Sequence, residues 1–171
     1  MERCFSRIFG QSLFLTAAFL MCLWNAPQAY AKEQDAWMKQ FEATFSVSCT
    51  VGGVSFIYPK QFELSETTMG VFLETKELSG RISEGSVELR DKEAATELLV
   101  NKQGGKDFGE TVVNKYTVFF STSMQGEQTC RTYIVVLKDS VQKPLYIQFR
   151  WKSENPIDYT PMLDRMIAAI K

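Results

Sequence analysis

Histidine does not occur anywhere in the 171 residues. Its absence removes both the commonest general acid/base and the commonest metal ligand. Serine–histidine and cysteine–histidine nucleophile pairs are excluded with it, as is any zinc site built on imidazole. A surplus of positive charge is missing too: 19 Lys+Arg stand against 20 Asp+Glu. Nucleic-acid binders carry a basic excess, so this balance argues against one. There is no internal repeat, low-complexity tract or Pro/Gly-rich linker, and the length suits one domain.

What the chain does have, first, is the pattern of an export signal. Arg3 and Arg7 form a positive start, and a charge-free apolar run from Leu13 to Leu23 follows. Ala29 and Ala31 then supply the small residues that signal peptidase reads. The run is shorter than the roughly 20 residues a bilayer-spanning helix needs, so no stable membrane span is expected after cleavage. Cys22 is no lipidation site, because Met21 precedes it and Phe19 stands three residues back. The expected cut lies between Ala31 and Lys32. Residues 1–31 are then the signal and residues 32–171 one mature domain, in the periplasm or secreted.

Cleavage at that point leaves two cysteines, Cys49 and Cys130. An even count in an exported protein predicts a disulfide between them, the alternative being two buried free thiols that behave as small hydrophobes. Closing so long a loop would stabilise the fold by ~4 to 5 kcal/mol on the chain-entropy model. Neither residue belongs to a Cys-x-x-Cys pair, which argues against redox activity.

Patterning predicts an α+β domain with a mainly antiparallel sheet. Trp37, Met38, Phe41 and Phe45 form a helical stripe over residues 33–43. Phe45, Val47, Cys49 and Val51 alternate with polar residues, Gly52-Gly53 supplies a tight turn, and Val54, Phe56 and Tyr58 resume the alternation, giving a hairpin. Strands are expected over 61–64 and 69–76, with a further one around Ile82, Val87 and Leu89. Asp91 reads as the N-cap of a helix that ends at Gly104-Gly105. Strands over 111–113, 116–123 and 129–137 follow; the last two are apolar on both faces, which places them centrally. Residues 145–152 alternate cleanly, with Leu145, Ile147, Phe149 and Trp151 opposed to Tyr146, Gln148, Arg150 and Lys152. Thr160-Pro161 caps a closing helix. Helices on both faces of the sheet, an α-β-α sandwich, are the expected architecture.

The strand end Val54-Ser55-Phe56-Ile57-Tyr58-Pro59, with its aromatic-x-Tyr-Pro pattern, and the closing strand, Pro-containing loop and helix over 145–171 resemble the PsbP/DcrB-like superfamily of small exported domains. The resemblance covers most of the mature chain as an order of elements. Where that family has Gly-Trp after the proline, Lys60-Gln61-Phe62 stands here. The resemblance implies an α-β-α sandwich working as a non-catalytic accessory or assembly factor, and it assigns no functional residue.

Patterns that suggest chemistry dissolve on inspection. Ser140-Val141-Gln142-Lys143 fits a Ser-x-x-Lys motif, but it falls in a loop and lacks its partner motifs. Glu63 with Glu66, and Glu74 with Glu77, are carboxylate pairs of the kind a solvated acidic surface produces unaided. Gly104-Gly105-Lys106 follows a helix instead of opening one, so it is no phosphate loop. Asp91, Glu93 and Glu97 lack the spacing of a calcium loop. No cofactor, metal site or catalytic set is expected. The one suggestive feature is a possible binding face: Tyr146, Arg150 and Lys152 on the last strand, with Arg131 and Tyr133 on its neighbour, residue types enriched at binding hot spots. The expected function is therefore that of a non-enzymatic periplasmic accessory protein of a bacterial envelope, acting on a protein partner. A small-molecule or lipid carrier is the alternative, with aromatic strands lining a pocket.

Overall fold

The computed structural model describes Lys32 and residues 34–41, 43–137, 140 and 142–171. The signal segment and Ala31 lie outside the described residues. Contacts divide the chain into two compact units, residues 1–40 and Phe41–Lys171. In the first, the described residues 34–40 are helical, as the Trp37 stripe predicts. The rest of the description concerns the second.

Among the described residues, nine strands form two antiparallel sheets. β1 (Phe45–Val51) and β2 (Val54–Pro59) make the predicted hairpin, with Gly52 and Gly53 at φ +55° and +79°. Both dihedrals lie in the left-handed region that a two-residue hairpin turn requires and that glycine adopts without steric cost. The second sheet has seven strands in the order β3-β4-β5-β9-β8-β7-β6. They are β3 (Glu63–Thr67), β4 (Gly70–Glu74), β5 (Leu78–Glu84), β6 (Lys106–Val113), β7 (Tyr116–Gln125), β8 (Gln128–Leu137) and β9 (Leu145–Lys152). Between β5 and β6 runs a composite helical segment. A 3-10 turn (Val87–Arg90) leads into α1 (Lys92–Thr96), which relaxes into a wider π turn (Glu97–Lys102). α2 (Thr160–Ala168) closes the chain.

Strand alternation assigns each side chain of the large sheet to one of two faces. On the first face Phe119, Ile134 and Val136 pack under Ala95 and Leu99 of the composite segment. On the second, Tyr133, Val135, Ile147, Phe149 and Trp151 are buried. α2 and the β1–β2 hairpin cover this second face. Trp151 meets Tyr159 edge-on at 5.7 Å, and Phe62 meets Phe149 at 6.4 Å. The hairpin is held there by reciprocal backbone bonds between Ser55 and Lys171 at 3.0 and 3.1 Å.

The structure corrects the expected architecture. It is predominantly an antiparallel β structure and not an α-β-α sandwich. The helical pieces are short, α2 having nine residues and α1 five. A hairpin takes up covering work that a sandwich would assign to a helix.

The expected disulfide is absent as well: Cys49 and Cys130 are both free. The reason lies in the pleat. Cys130 points to the first face, with Ile134 and Val136, whereas Cys49 sits in the hairpin that covers the second. The large sheet stands between the two thiols.

Several expected boundaries move. The turn predicted at residues 65–68 forms at Thr68-Met69, and the strand expected through Val87 and Leu89 ends at Glu84. Asp91 precedes α1 without a side-chain capping bond, and Tyr159, not Thr160, is the residue that precedes α2. Gly104, at φ +66°, does end the composite segment as expected.

Candidate functional site

The five residues expected on one binding face divide between two. In β8, Arg131 and Tyr133 lie opposite Phe149 and Ile147, and so point to the packed second face. Tyr146, Arg150 and Lys152 lie opposite Ile134, Cys130 and Gln128, and so point to the first. Adjacency of the two strands was legible from the pattern. The relative register, which decides the face, was not.

On the packed face Arg131 is almost wholly buried, its side chain 3% exposed, and it meets two carboxylates. Nη1 donates to Asp107 Oδ2 at 2.8 Å, and Nη2 donates to Asp164 Oδ1 at 2.9 Å. Tyr133 donates its hydroxyl to the same Asp164 oxygen at 2.6 Å. The Phe120 ring lies under the guanidinium at 4.6 Å. Burial pushes the Tyr133 hydroxyl well above its ordinary range, and the Asp164 carboxylate adds to the shift. Asp107 holds a left-handed backbone, φ +53°, while its carboxylate accepts from the Thr122 backbone N–H at 2.8 Å. The groups bond one another and so tie α2 and β6 to the centre of the sheet, with the guanidinium buried and only the outer sides of the Asp107 and Asp164 carboxylates, about half exposed, reaching solvent.

The first face is different. The composite segment covers its β6–β8 side and reaches Tyr146 at the near end of β9. Over β9, the middle strand of the seven, and over β5, β4 and β3, residues of this face stay open: Arg150, Lys152, Ser79 and Ser65 are exposed, and Arg81, Phe72 and Tyr146 half-buried. The polar side chains form a chain of bonds. Gln148, 8% exposed, donates Nε2 to Thr132 Oγ1 and to Tyr146 Oη, both at 3.2 Å. Its Oε1 accepts from Arg150 Nε at 2.9 Å and again from Nη2. Gln103, at the end of the composite segment, donates to Tyr146 Oη at 2.7 Å. On β5, Arg81 donates to the Met69 carbonyl at 2.9 Å and lies 5.9 Å from the Phe72 ring centre. Arg81, Ser79 and Phe72 were missed in the sequence, because nothing in it aligned β5 and β4 with β9.

A groove of about 670 Å³ opens at the far end of the same face, between the 3-10 turn and β6–β8. Phe119, Val136 and Leu137 give it an apolar floor, and Glu88, Asp91 and Glu110 its rim. Glu110 is already paired with Lys92 at 2.8 Å.

Of the two thiols, Cys49 is half-buried. Cys130 is fully buried, and burial raises its thiol above the ordinary range, as it does that of Cys49. Among the described residues no group of three or more Cys, Asp or Glu is placed to hold a metal ion, and no helix is long and apolar enough to cross a membrane. In comparisons with known proteins, the chain matches no family model and no curated protein.

Proposed function

We propose that this chain is a non-enzymatic, exported accessory protein of a bacterial envelope, and that it works by binding another protein. One observation carries the reading. The middle strand of the large sheet is packed on one face and open on the other at Arg150 and Lys152, and that second side bears a connected set of Tyr, Gln and Arg side chains. A sheet centre is ordinarily its most covered part, and Tyr and Arg are the residues from which binding hot spots are built. The export pattern at the N-terminus and the resemblance to the PsbP/DcrB-like superfamily support the compartment and the accessory role. The carrier reading has its own support in the apolar-floored groove between Val87 and Leu137.

Site-directed photocrosslinking in the native envelope tests the choice. A photoreactive residue at Ser79, on the open face, is expected to capture one discrete protein, while the same residue at Glu127, on the β7–β8 turn, captures none. Equal capture from both positions, or none from either, refutes the interaction reading. Native mass spectrometry of gently purified protein completes the comparison, since a retained mass of small-molecule size favours the carrier.

A further inference from the structure

The open face also carries information about what it would bind, and this inference rests on the interaction reading above. Register places Arg81 on β5 opposite Gln148, and Arg150 on β9 opposite Ser79. The two arginines are therefore diagonal neighbours on the same face of adjacent strands. Among the described residues neither has a carboxylate within ion-pair distance. Their bonds go to neutral oxygens: Arg81 Nε and Nη2 to the Met69 carbonyl, Arg150 Nε and Nη2 to Gln148 Oε1. These bonds fix each guanidinium plane without neutralising it, and Nη1 of each remains to donate. Tyr146 Oη accepts from both Gln103 and Gln148, so its own proton is also left to donate. Gln148, which stands between Tyr146 and Arg150, has its oxygen and its nitrogen engaged internally. Around the two arginines the face thus offers donors held in position, beside the Ser79 and Ser83 hydroxyls, while its carboxylates lie out on β3 and β4.

We infer that Arg81 and Arg150, with Tyr146 between them and the composite segment, recognise carboxylates on an acidic segment of a protein partner. The planar guanidinium fork matches a carboxylate bidentately, and a fork already fixed by a neutral partner loses little freedom on binding. The face is four strands wide, which suits an extended protein surface rather than one enclosed small anion. Its edge argues against an anionic membrane. Glu63 and Glu74 face each other across β3 and β4, on the same side of the sheet and at the same end as Arg150. A uniformly negative plane would meet those two carboxylates together with the arginines. A protein segment can set its acidic residues over Arg81 and Arg150 and keep them away from β3.

The probe is a hexaglutamate peptide, titrated into the folded protein while backbone amide shifts are followed at low and high salt. Saturable shifts confined to residues 79–83 and 146–152 are expected. Arg81→Gln/Arg150→Gln should weaken binding by about tenfold or more. Lys60→Gln/Lys102→Gln, the same charge change at two exposed lysines elsewhere, should have little effect. Arg81→Lys/Arg150→Lys keeps the charge and loses the fork, and is expected to lose most of the affinity. Shifts spread over all basic residues, or equal losses in the lysine control, would overturn the assignment. So would phosphatidylglycerol vesicles binding through the same residues as tightly as the peptide. The two proposals fail separately. If Ser79 captures its partner equally well in the parent and the double arginine variant, the interaction reading survives and the acidic-segment assignment falls. If the peptide binds as expected but Ser79 captures nothing, the carboxylate chemistry of the two arginines stands, while the interaction reading and the assignment to a protein partner fall.

Discussion

Arg131 Nη2 reaches both carboxylate oxygens of Asp164, at 2.9 and 3.2 Å, and so joins β8, next to the middle strand of the sheet, to the last helix. The guanidinium is buried while the carboxylate is about half exposed, 3% against 47%. Removing the carboxylate therefore costs more than the bond itself, because a buried charge is left with Asp107 alone. Loss of one partner of a fully buried pair destabilises by about 3–5 kcal/mol. With Asp164 partly solvated, Asp164→Ala is expected to cost about 2–3 kcal/mol. Arg131→Met in the same background should recover part of that loss, since an apolar side chain does not miss its counter-ion. Urea unfolding of the single and double variants measures both, and a neutral Asp164→Ala would show that the contact holds nothing.

Alkaline pH is expected to destabilise the fold. Burial raises the Tyr133 and Tyr159 hydroxyls above the ordinary value of 10.0, with Asp164 and Glu77 adding to the respective shifts. The Cys49 and Cys130 thiols are raised above 9.0, chiefly by burial. In each case the folded state holds its proton more tightly than the unfolded chain does. The associated stability is complete below the unfolded values and is lost as pH rises past them. Unfolding free energy should therefore be flat near neutrality and fall from about pH 9 upward. Tyr159→Phe removes the bond from its hydroxyl to Glu77 at 2.7 Å. It should cost about 1 kcal/mol at pH 7 and make the alkaline decline shallower. A decline of unchanged steepness in this variant would assign the effect to other groups.

Two free thiols separated by a sheet should differ in reactivity. Cys49 is half-buried in a two-stranded hairpin, and Cys130 has no exposed surface in the middle of the larger sheet. Iodoacetamide is expected to modify Cys49 slowly in the native protein, and Cys130 only after denaturant is added. Intact mass without reductant should show both thiols present. Cys49→Ser should leave stability nearly unchanged, against the loss of ~4 to 5 kcal/mol that opening a disulfide of this loop length implies. A mass lower by two hydrogens would restore the covalent link.

These outcomes also show what patterning can and cannot reach. The Gly52-Gly53 hairpin, strand 145–152 and the last helix were legible because each is fixed by neighbours within a few residues. Face assignments were not, because they depend on register between distant strands. Arg131 and Arg150 look alike in the sequence, two basic residues on consecutive strands. Pairing Arg131 with Phe149 and Cys130 with Arg150 sends one inward to Asp164 and leaves the other in the open. The cysteine count carried the same blind spot. Parity favoured a disulfide, but parity does not know which side of a sheet a residue faces. Likewise the clean alternation of residues 145–152 did not reveal that β9 is the strand at the centre.

Two glycines give a last test of the packing, because they are glycine for different reasons. Gly53, at φ +79°, has open space where a side chain would stand, so its constraint is purely dihedral. Gly80 has an ordinary strand backbone, and a side chain there would run into the ring of Phe149, its partner on β9. Phe149 is fully buried and in edge contact with Phe62, so the ring has nowhere to retreat. Gly53→Ala is expected to cost about 1 kcal/mol, and Gly53→Asn less, since asparagine tolerates the left-handed region. Gly80→Ala should cost about 2–3 kcal/mol as an overpacked core. Phe149→Leu pairs with it as a double-mutant cycle: each change destabilises alone, and together they should cost less than their sum, because the smaller side chain vacates the space the methyl group needs. Strict additivity in urea unfolding would mean that Gly80 is not the seat of the Phe149 ring.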